Sequence, residues 1–229
     1  MNKNALIVGA GSGNSAAIAR ALVAEGYRVA LAARNIEKLE GQKQALDAIT
    51  IACDATSVQS VKHLFQNLDQ QMDGLDLVVY NASSYTSGPV TELDPVLVEE
   101  TLRLTAYGGF LVAQQAARRM KVSGSGAIFF TGATASIKGF ANFAPFAMGK
   151  FALRGLAQSL ARELGPQNIH VAHFIIDGSI ANDERQRFQT DNQSFLDADA
   201  IAHTYIAVLN QPRSAWTHEV DVRPWVESF

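Results

Sequence analysis

Short apolar runs alternate with longer segments of helical periodicity along most of this chain. The apolar runs are Ala5–Val8, Val29–Ala32, Ala48–Ala52, Leu75–Tyr80, Ala127–Thr131, Val171–Ile176 and Glu219–Val222. Runs of this length without polar alternation are typical of parallel strands that are covered on both faces. The helical segments are Asn14–Glu25, Ile36–Leu46, Val58–Met72, Val96–Val122, Phe143–Leu164 and Ala198–Leu209. The alternation predicts an α/β fold, a doubly wound parallel sheet of about seven strands with helices on both faces.

The connections between these segments are short, and neither a repeat nor a linker interrupts them, so we expect residues 1–229 to form a single domain. Three longer loops, Ala82–Asp94, Gly132–Asn142 and Asp177–Leu196, follow predicted strands. Open α/β sheets bind ligands beyond the carboxyl ends of their strands, so these loops are predicted to surround a ligand.

Composition and charge narrow the possible functions. The formal net charge is −3 and the calculated pI is about 5.9, which argues against a partner such as nucleic acid or an anionic membrane. The lone Cys53 excludes an intrachain disulfide, and the five histidines show no metal-ligand spacing, so no metal site is predicted. No apolar run approaches the roughly 20 residues that span a bilayer, and no targeting segment is visible. We therefore expect a cytoplasmic protein.

A glycine-rich turn between the first strand and the first helix is the strongest local motif. It contains Gly9, Gly11, Ser12, Gly13 and Asn14. Small residues let the backbone approach a pyrophosphate, and the helix N-terminus offers free N–H groups and a positive dipole end. A plain strand–helix turn would look similar, but the position after the opening strand favours a Rossmann-type dinucleotide site.

The end of the second strand indicates which dinucleotide is bound. NAD sites usually carry an acid there, whereas this chain has Ala33 followed by Arg34. A guanidinium suits a ribose 2′-phosphate, so Arg34 favours NADP(H) over NAD(H). The competing interpretation is a solvated arginine at the start of the next helix.

From Ala5 to about Val222 the chain resembles the short-chain dehydrogenase/reductase family. The resemblance implies cofactor contacts at the glycine turn, at Asp54 and Ala55, at Asn81, Ala82 and Ser83, at Gly178, and at Lys150. Lys150 closes a Phe146-Ala-Met-Gly-Lys150 stretch where the family has Tyr-x-x-x-Lys. By the same resemblance, Lys150 is the retained catalytic residue and binds the nicotinamide ribose.

Three of the family's four catalytic positions are altered here. Counting from Lys150, the proton-donating tyrosine is Phe146, the oxygen-binding serine is Ala133, and the asparagine falls on Thr105. Loss of a positioned general acid typically costs about 10²–10⁴-fold in rate. Hydroxyl groups nearby in the sequence that could substitute belong to Tyr85, Tyr107, Thr134 and Ser136. The predicted substrate pocket consists of Ala133, Thr134, Phe143 and Phe146.

Two functions are compatible with these cofactor-binding features and altered catalytic positions. The first is an NADP(H)-dependent oxidoreductase with a non-standard active site and a small, largely apolar substrate. The alternative is a catalytically silent protein that senses NADP(H) and signals through a partner. A Rossmann-type methyltransferase fits less well, because Arg34 and Lys150 point to a phosphorylated dinucleotide. The family resemblance and the aromatic tail with Trp225 and Phe229 also imply a homodimer or homotetramer.

Overall fold

Seven parallel strands form the central sheet of the computed structural model, which describes residues 3–181 and 194–226. Nine strands occur within these residues, in chain order β1 Lys3–Val8, β2 Tyr27–Ala33, β3 Ile49–Ala52, β4 Leu77–Tyr80, β5 Gly126–Thr131, β6 Ile169–Ile176, β7 Ser179–Ile180, β8 Phe195–Leu196 and β9 Glu219–Val222. The main sheet has the order β3-β2-β1-β4-β5-β6-β9, and β7 pairs separately with β8. The strand order reverses between β1 and β4, which is where doubly wound sheets open a binding crevice. The predicted α/β architecture is confirmed.

Seven α-helices connect the strands within the described residues. They are α1 Asn14–Ala24, α2 Glu40–Leu46, α3 Val58–Gln71, α4 Pro95–Leu102, α5 Gly108–Ser123, α6 Ala144–Leu164 and α7 Ala198–Leu209. The single helix predicted over Val96–Val122 is α4 and α5 joined by a π turn at Arg103–Tyr107. Side chains cap several N-termini, as Ser57 does for α3 and Asp197 for α7. None of the helices described has the length and apolar character that crossing a bilayer requires.

The sheet is apolar on both faces because alternate residues of each buried strand point to opposite sides. Leu6 and Phe130 belong to one core cluster, while Ile7 and Phe129 belong to the other. Helices α3, α5 and α6 cover the first face, and α1 and α7 cover the second. This two-sided burial explains why the strand sequences lack polar alternation.

Two glycines let α5 lie close to the sheet. A Cβ on Gly108 would lie 2.4 Å from the Tyr80 hydroxyl, and one on Gly109 would lie 2.6 Å from Leu153 Cδ1. The Tyr80 hydroxyl donates to the carbonyl of Leu104, inside the π turn. The close approach therefore positions the π turn beside α6, the helix that carries Lys150.

Candidate active site

The glycine-rich turn is pressed against the loop after β4. Gly9 has φ +85°, and a Cβ on it would lie 2.4 Å from the Ala82 nitrogen, so only glycine fits there. Asn81 Nδ2 donates to the Gly9 carbonyl at 3.3 Å. The Gly11 N–H donates to Ser15 Oγ at 2.8 Å. These contacts give the turn one conformation.

The N-terminus of α1 is open toward the turn. Gly13 is its N-cap and provides no side-chain cap, and the first turn of the helix carries no acidic residue. Gln42 Nε2 donates to the Gly11 carbonyl at 2.9 Å and holds the turn from the other side. The positive end of the α1 dipole, which no side chain caps, is suited to bind an anion.

Most residues predicted to bind the dinucleotide line one cavity of about 430 Å³, which we call the turn cavity. They are Gly9, Gly11, Ser12, Arg34, Ala55, Asn81, Ala82 and Ser83. Lys38 also lines it, and adds a second cation beside Arg34. Asp54 lies apart from this group and lines a smaller cavity of about 270 Å³ that Arg34 shares. Gly13 lines none of these cavities.

The four predicted substrate-pocket residues line a second cavity of about 720 Å³, which we call the aromatic cavity. They are Ala133, Thr134, Phe143 and Phe146. The Tyr85 ring lies against this wall, with its centroid 5.4 Å from that of Phe143 and 5.3 Å from that of Phe146. Asn14, Lys150 and Gly178 line the same cavity. Asn81 and Ser83 line both the turn cavity and the aromatic cavity, so the two adjoin.

Lys150 is a buried amine in the aromatic cavity. Its side chain lies one helical turn after Phe146, and Nζ is 5.8 Å from the centroid of the Phe146 ring. Nζ donates to the Thr131 carbonyl at 2.8 Å, and the residue is only 3% exposed. Burial lowers the pKa of Lys150 to about 8. The amine is therefore still mostly protonated at neutral pH and can bind ligand oxygens.

The hydroxyl groups considered from the sequence separate into two sets. Tyr85 and Thr134 line the aromatic cavity, whereas Tyr107 and Ser136 do not. Ser136 is fully buried, and its Oγ accepts a hydrogen bond from the Ala133 N–H at 3.1 Å. Thr105 is also fully buried within the π turn and lines none of the three cavities. Within the described residues, Tyr85 is thus the one phenol at the aromatic cavity.

An ionic cluster of the buried His173 with the partly exposed Arg154 and Glu219 lies behind the site, and sequence reasoning missed it. His173 Nδ1 donates to Glu219 Oε2 at 3.2 Å. Arg154 donates to the same carboxylate twice, from Nε to Oε2 and from Nη2 to Oε1, each at 2.7 Å. A Cβ on Gly132 would lie 2.4 Å from His173 Nε2, so the imidazole occupies the space of a side chain there. Burial, the largest cause, lowers the pKa of His173 to about 4. A histidine within an otherwise apolar strand was the available signal.

Three other sequence-based expectations concern the Asp177–Leu196 loop, the aromatic tail and metal ligands. Asp177 is buried, and its Oδ2 lies 3.4 Å from Arg223 Nη2. Residues 182–193 of the Asp177–Leu196 loop, which is predicted to help surround a ligand, lie outside the described residues. Trp225 is 81% exposed, and Phe229 lies outside the described residues. Among the described residues, no three His, Cys, Asp or Glu side chains are grouped as metal ligands would be.

Comparison with known proteins decides the family. The model of the family described as short chain dehydrogenase matches residues 3–192. The chain belongs to the short-chain dehydrogenase family. Members of the family are oxidoreductases that bind NAD(P)(H), so the resemblance found in the sequence is confirmed.

Three relatives illustrate how far the similarity extends. A short-chain dehydrogenase structure from Rhodopseudomonas palustris is 34% identical, with a TM-score of 0.86, over 98% of this chain and 100% of that one. An uncharacterized oxidoreductase of Staphylococcus aureus (strain N315) is 29% identical over 97% of each chain. An alcohol dehydrogenase from Thermococcus sibiricus, solved with 5-hydroxy-NADP, is 22% identical, with a TM-score of 0.87, over 99% of this chain and 98% of that one. At that identity the last likeness shows the fold alone.

The described residues fit a nicotinamide dinucleotide. Cβ atoms added to Gly11 and Gly13 would meet nothing within 4 Å, so their bare backbone faces open space beside the α1 N-terminus. Asn14 Oδ1 is buried without a hydrogen-bond partner at the aromatic cavity, and Lys150 offers a buried cation there. Anion-binding backbone, a buried acceptor and a buried cation along two adjoining cavities match an elongated ligand with phosphate and polar ring groups.

Proposed function

We propose that this protein is an NADP(H)-dependent oxidoreductase with a non-standard active site and a small, largely apolar substrate. The observation that carries the proposal is the continuity of the two cavities at Asn81 and Ser83. The turn cavity has the backbone and cations that a phosphorylated nucleotide needs. The aromatic cavity has one buried amine and an apolar wall at the other end.

Cations at the far end of the turn cavity support the choice of NADP(H). Arg34 and Lys38 line that end, and no acidic residue is among the described residues that line the turn cavity. An acid would hold ribose hydroxyls, whereas a guanidinium pairs with a 2′-phosphate.

Each part of the site then has a role. The glycine turn and the α1 N-terminus hold the pyrophosphate, and Lys150 anchors the nicotinamide ribose. When bound, the cofactor supplies or accepts a hydride. Phe143 and Phe146 form an apolar wall for the substrate and exclude water from it. Asp54 and Asn81 bind the adenosine side.

Proton transfer distinguishes this site from that of an ordinary ketone reductase. Phe146 occupies the position that the family resemblance assigns to the proton donor, and its ring carries no ionisable group. The corresponding loss of about 10²–10⁴-fold is roughly 3–5 kcal/mol of barrier. Suitable substrates are therefore activated double bonds or carbonyls that take a proton from water or from a cavity-lining hydroxyl group. Tyr85 and Thr134 are two of the hydroxyl-bearing residues that line this cavity.

The test combines cofactor binding with a substrate screen. We expect NADPH fluorescence titration to give tight binding, and a panel of small carbonyls, alcohols and enones to show cofactor turnover. Phe146→Tyr combined with Ala133→Ser is expected to raise ketone reduction, because it restores a proton donor and an oxygen-binding hydroxyl group. Absence of NADPH binding would refute the proposal.

A catalytically silent NADP(H) sensor is the second candidate. The observation that favours it is the aromatic wall itself, where Phe143 and Phe146 present no acid to a substrate. Tight NADPH binding without turnover across the whole panel would support the sensor. Turnover of any panel member that depends on Lys150 would rule it out.

A further inference from the structure

A chain of hydrogen bonds runs under the aromatic cavity, across the carboxyl ends of β1, β4 and β5. Thr131 Oγ1 and the Tyr205 hydroxyl are 2.8 Å apart. Burial raises the pKa of Tyr205, and the nearby side chains of Thr131 and Asn14 oppose that rise, which places the Asn14 amide on the side of the Tyr205 hydroxyl. Asn14 Nδ2 also lies 3.4 Å from Asn81 Oδ1, and Asn81 Nδ2 donates to the Gly9 carbonyl. The network therefore links the glycine turn to the strand whose carbonyl holds Lys150.

This network fixes the orientation of the Asn14 carboxamide. The carboxamide nitrogen donates to Asn81 Oδ1 at 3.4 Å and faces the Tyr205 hydroxyl. Flipping the group would place its oxygen against the Asn81 oxygen. The oxygen Oδ1 consequently points away from both partners, and it has no partner of its own in the structure.

Asn14, which carries the unpaired oxygen, lines the aromatic cavity, where the substrate is proposed to bind. Asn14 is only 6% exposed, and it lines the aromatic cavity but not the turn cavity. A buried acceptor left without a partner destabilises the fold, so native proteins rarely retain one without a reason. A ligand that brings an N–H group to this position recovers that free energy.

We propose that Asn14 Oδ1 accepts a hydrogen bond from the carboxamide N–H of the nicotinamide ring and thereby selects the cofactor's ring substituent. The inference rests on the proposed function. The proposed function places the ribose hydroxyl groups at Lys150, and a carbonyl or enone substrate brings no N–H group of its own. The carboxamide is the remaining N–H donor on the part of the cofactor that this cavity admits.

The test is a double-mutant cycle between the side chain and the ligand, measured by calorimetry. The two probes are NADP⁺ and its 3-acetylpyridine analogue, in which a methyl group replaces the carboxamide NH₂. In the unaltered protein we expect NADP⁺ to bind about 5- to 10-fold more tightly than the analogue, as one hydrogen bond allows. In Asn14→Leu the ratio is expected to fall to within about twofold, because the variant loses affinity for NADP⁺ alone.

A matched control separates this effect from a general loss of affinity. Asn35 lines the turn cavity, so Asn35→Leu should leave the ratio between the two probes unchanged. If Asn14→Leu does not fold, as judged by circular dichroism, Asn14→Ala removes the same oxygen with a smaller side chain. An unchanged ratio in a folded Asn14 variant overturns the inference but leaves the proposed function intact. Absence of NADP⁺ binding by the unaltered protein overturns both.

Discussion

Replacing Lys150 by methionine is expected to remove a pH dependence of stability from the ligand-free protein. The pKa of Lys150 is about 8 in the folded state against an ordinary value of 10.5, because the amine is fully buried. Between these two values the unfolded chain binds more protons than the folded one. Folding stability therefore rises with pH across this window, and the full penalty for burying the charge applies below pH 8.

The size of the effect follows from the two pKa values. At about 1.4 kcal/mol per decade, a pKa of about 8 in place of 10.5 corresponds to roughly 3 kcal/mol. Methionine has a similar length and carries no charge, so this penalty is absent in the variant at every pH. The variant does lose the hydrogen bond to the Thr131 carbonyl, which costs about 1 kcal/mol but does not depend on pH.

The assay is urea unfolding of both proteins at several pH values from 7 to 10. The free energy of unfolding of the unaltered protein should rise relative to that of Lys150→Met as the pH increases, by about 2.5 kcal/mol between pH 7 and pH 10. Lys62 is exposed on α3, so Lys62→Met is the matched control and should follow the unaltered protein. A constant difference between the unaltered protein and Lys150→Met from pH 7 to 10 would refute the reasoning.

Three further predictions concern the cofactor, the ionic cluster and the quaternary structure. Arg34→Glu should weaken NADPH binding about 10-fold or more while leaving the Kd for NADH within about twofold, as measured by fluorescence titration; equal losses for both cofactors would contradict the role of Arg34. The folded-state pKa of His173 is about 4 against 6.5, so stability should fall as the pH drops from 6.5 to 4, and His173→Gln should flatten that loss in acid unfolding curves. Phe110 on α5 and Phe151 on α6 are 41% and 44% exposed, so if these helices form the expected homodimer or homotetramer contact, Phe151→Asp should shift light-scattering mass toward the monomer. An unchanged mass would place the subunit contact elsewhere.

Much of the fold could be predicted because strand burial and helix periodicity are local properties of the sequence. Each of the seven predicted strands appears in the main sheet, and five of the six predicted helices agree within four residues at each end, whereas the sixth is divided into α4 and α5. The glycine turn was equally visible, since the close approach at Gly9 and the N-terminus of α1 require small residues at that point in the chain. Lys150 was identified through the family resemblance, because it stands at the lysine of the Tyr-x-x-x-Lys motif.

Other parts of the site depend on contacts between residues far apart in the chain. His173 and Glu219 meet because β6 pairs with β9 in one register, and Arg154 reaches the same carboxylate from α6. The hydrogen bonds that orient Asn14 come from α7 and from the loop after β4. No local sequence pattern predicts such long-range contacts, because strand register and helix placement depend on how both faces of the sheet pack. The sequence by itself thus determined the sheet, the turn and the buried amine, while the tertiary structure decided which polar atoms are paired and which one is left for a ligand.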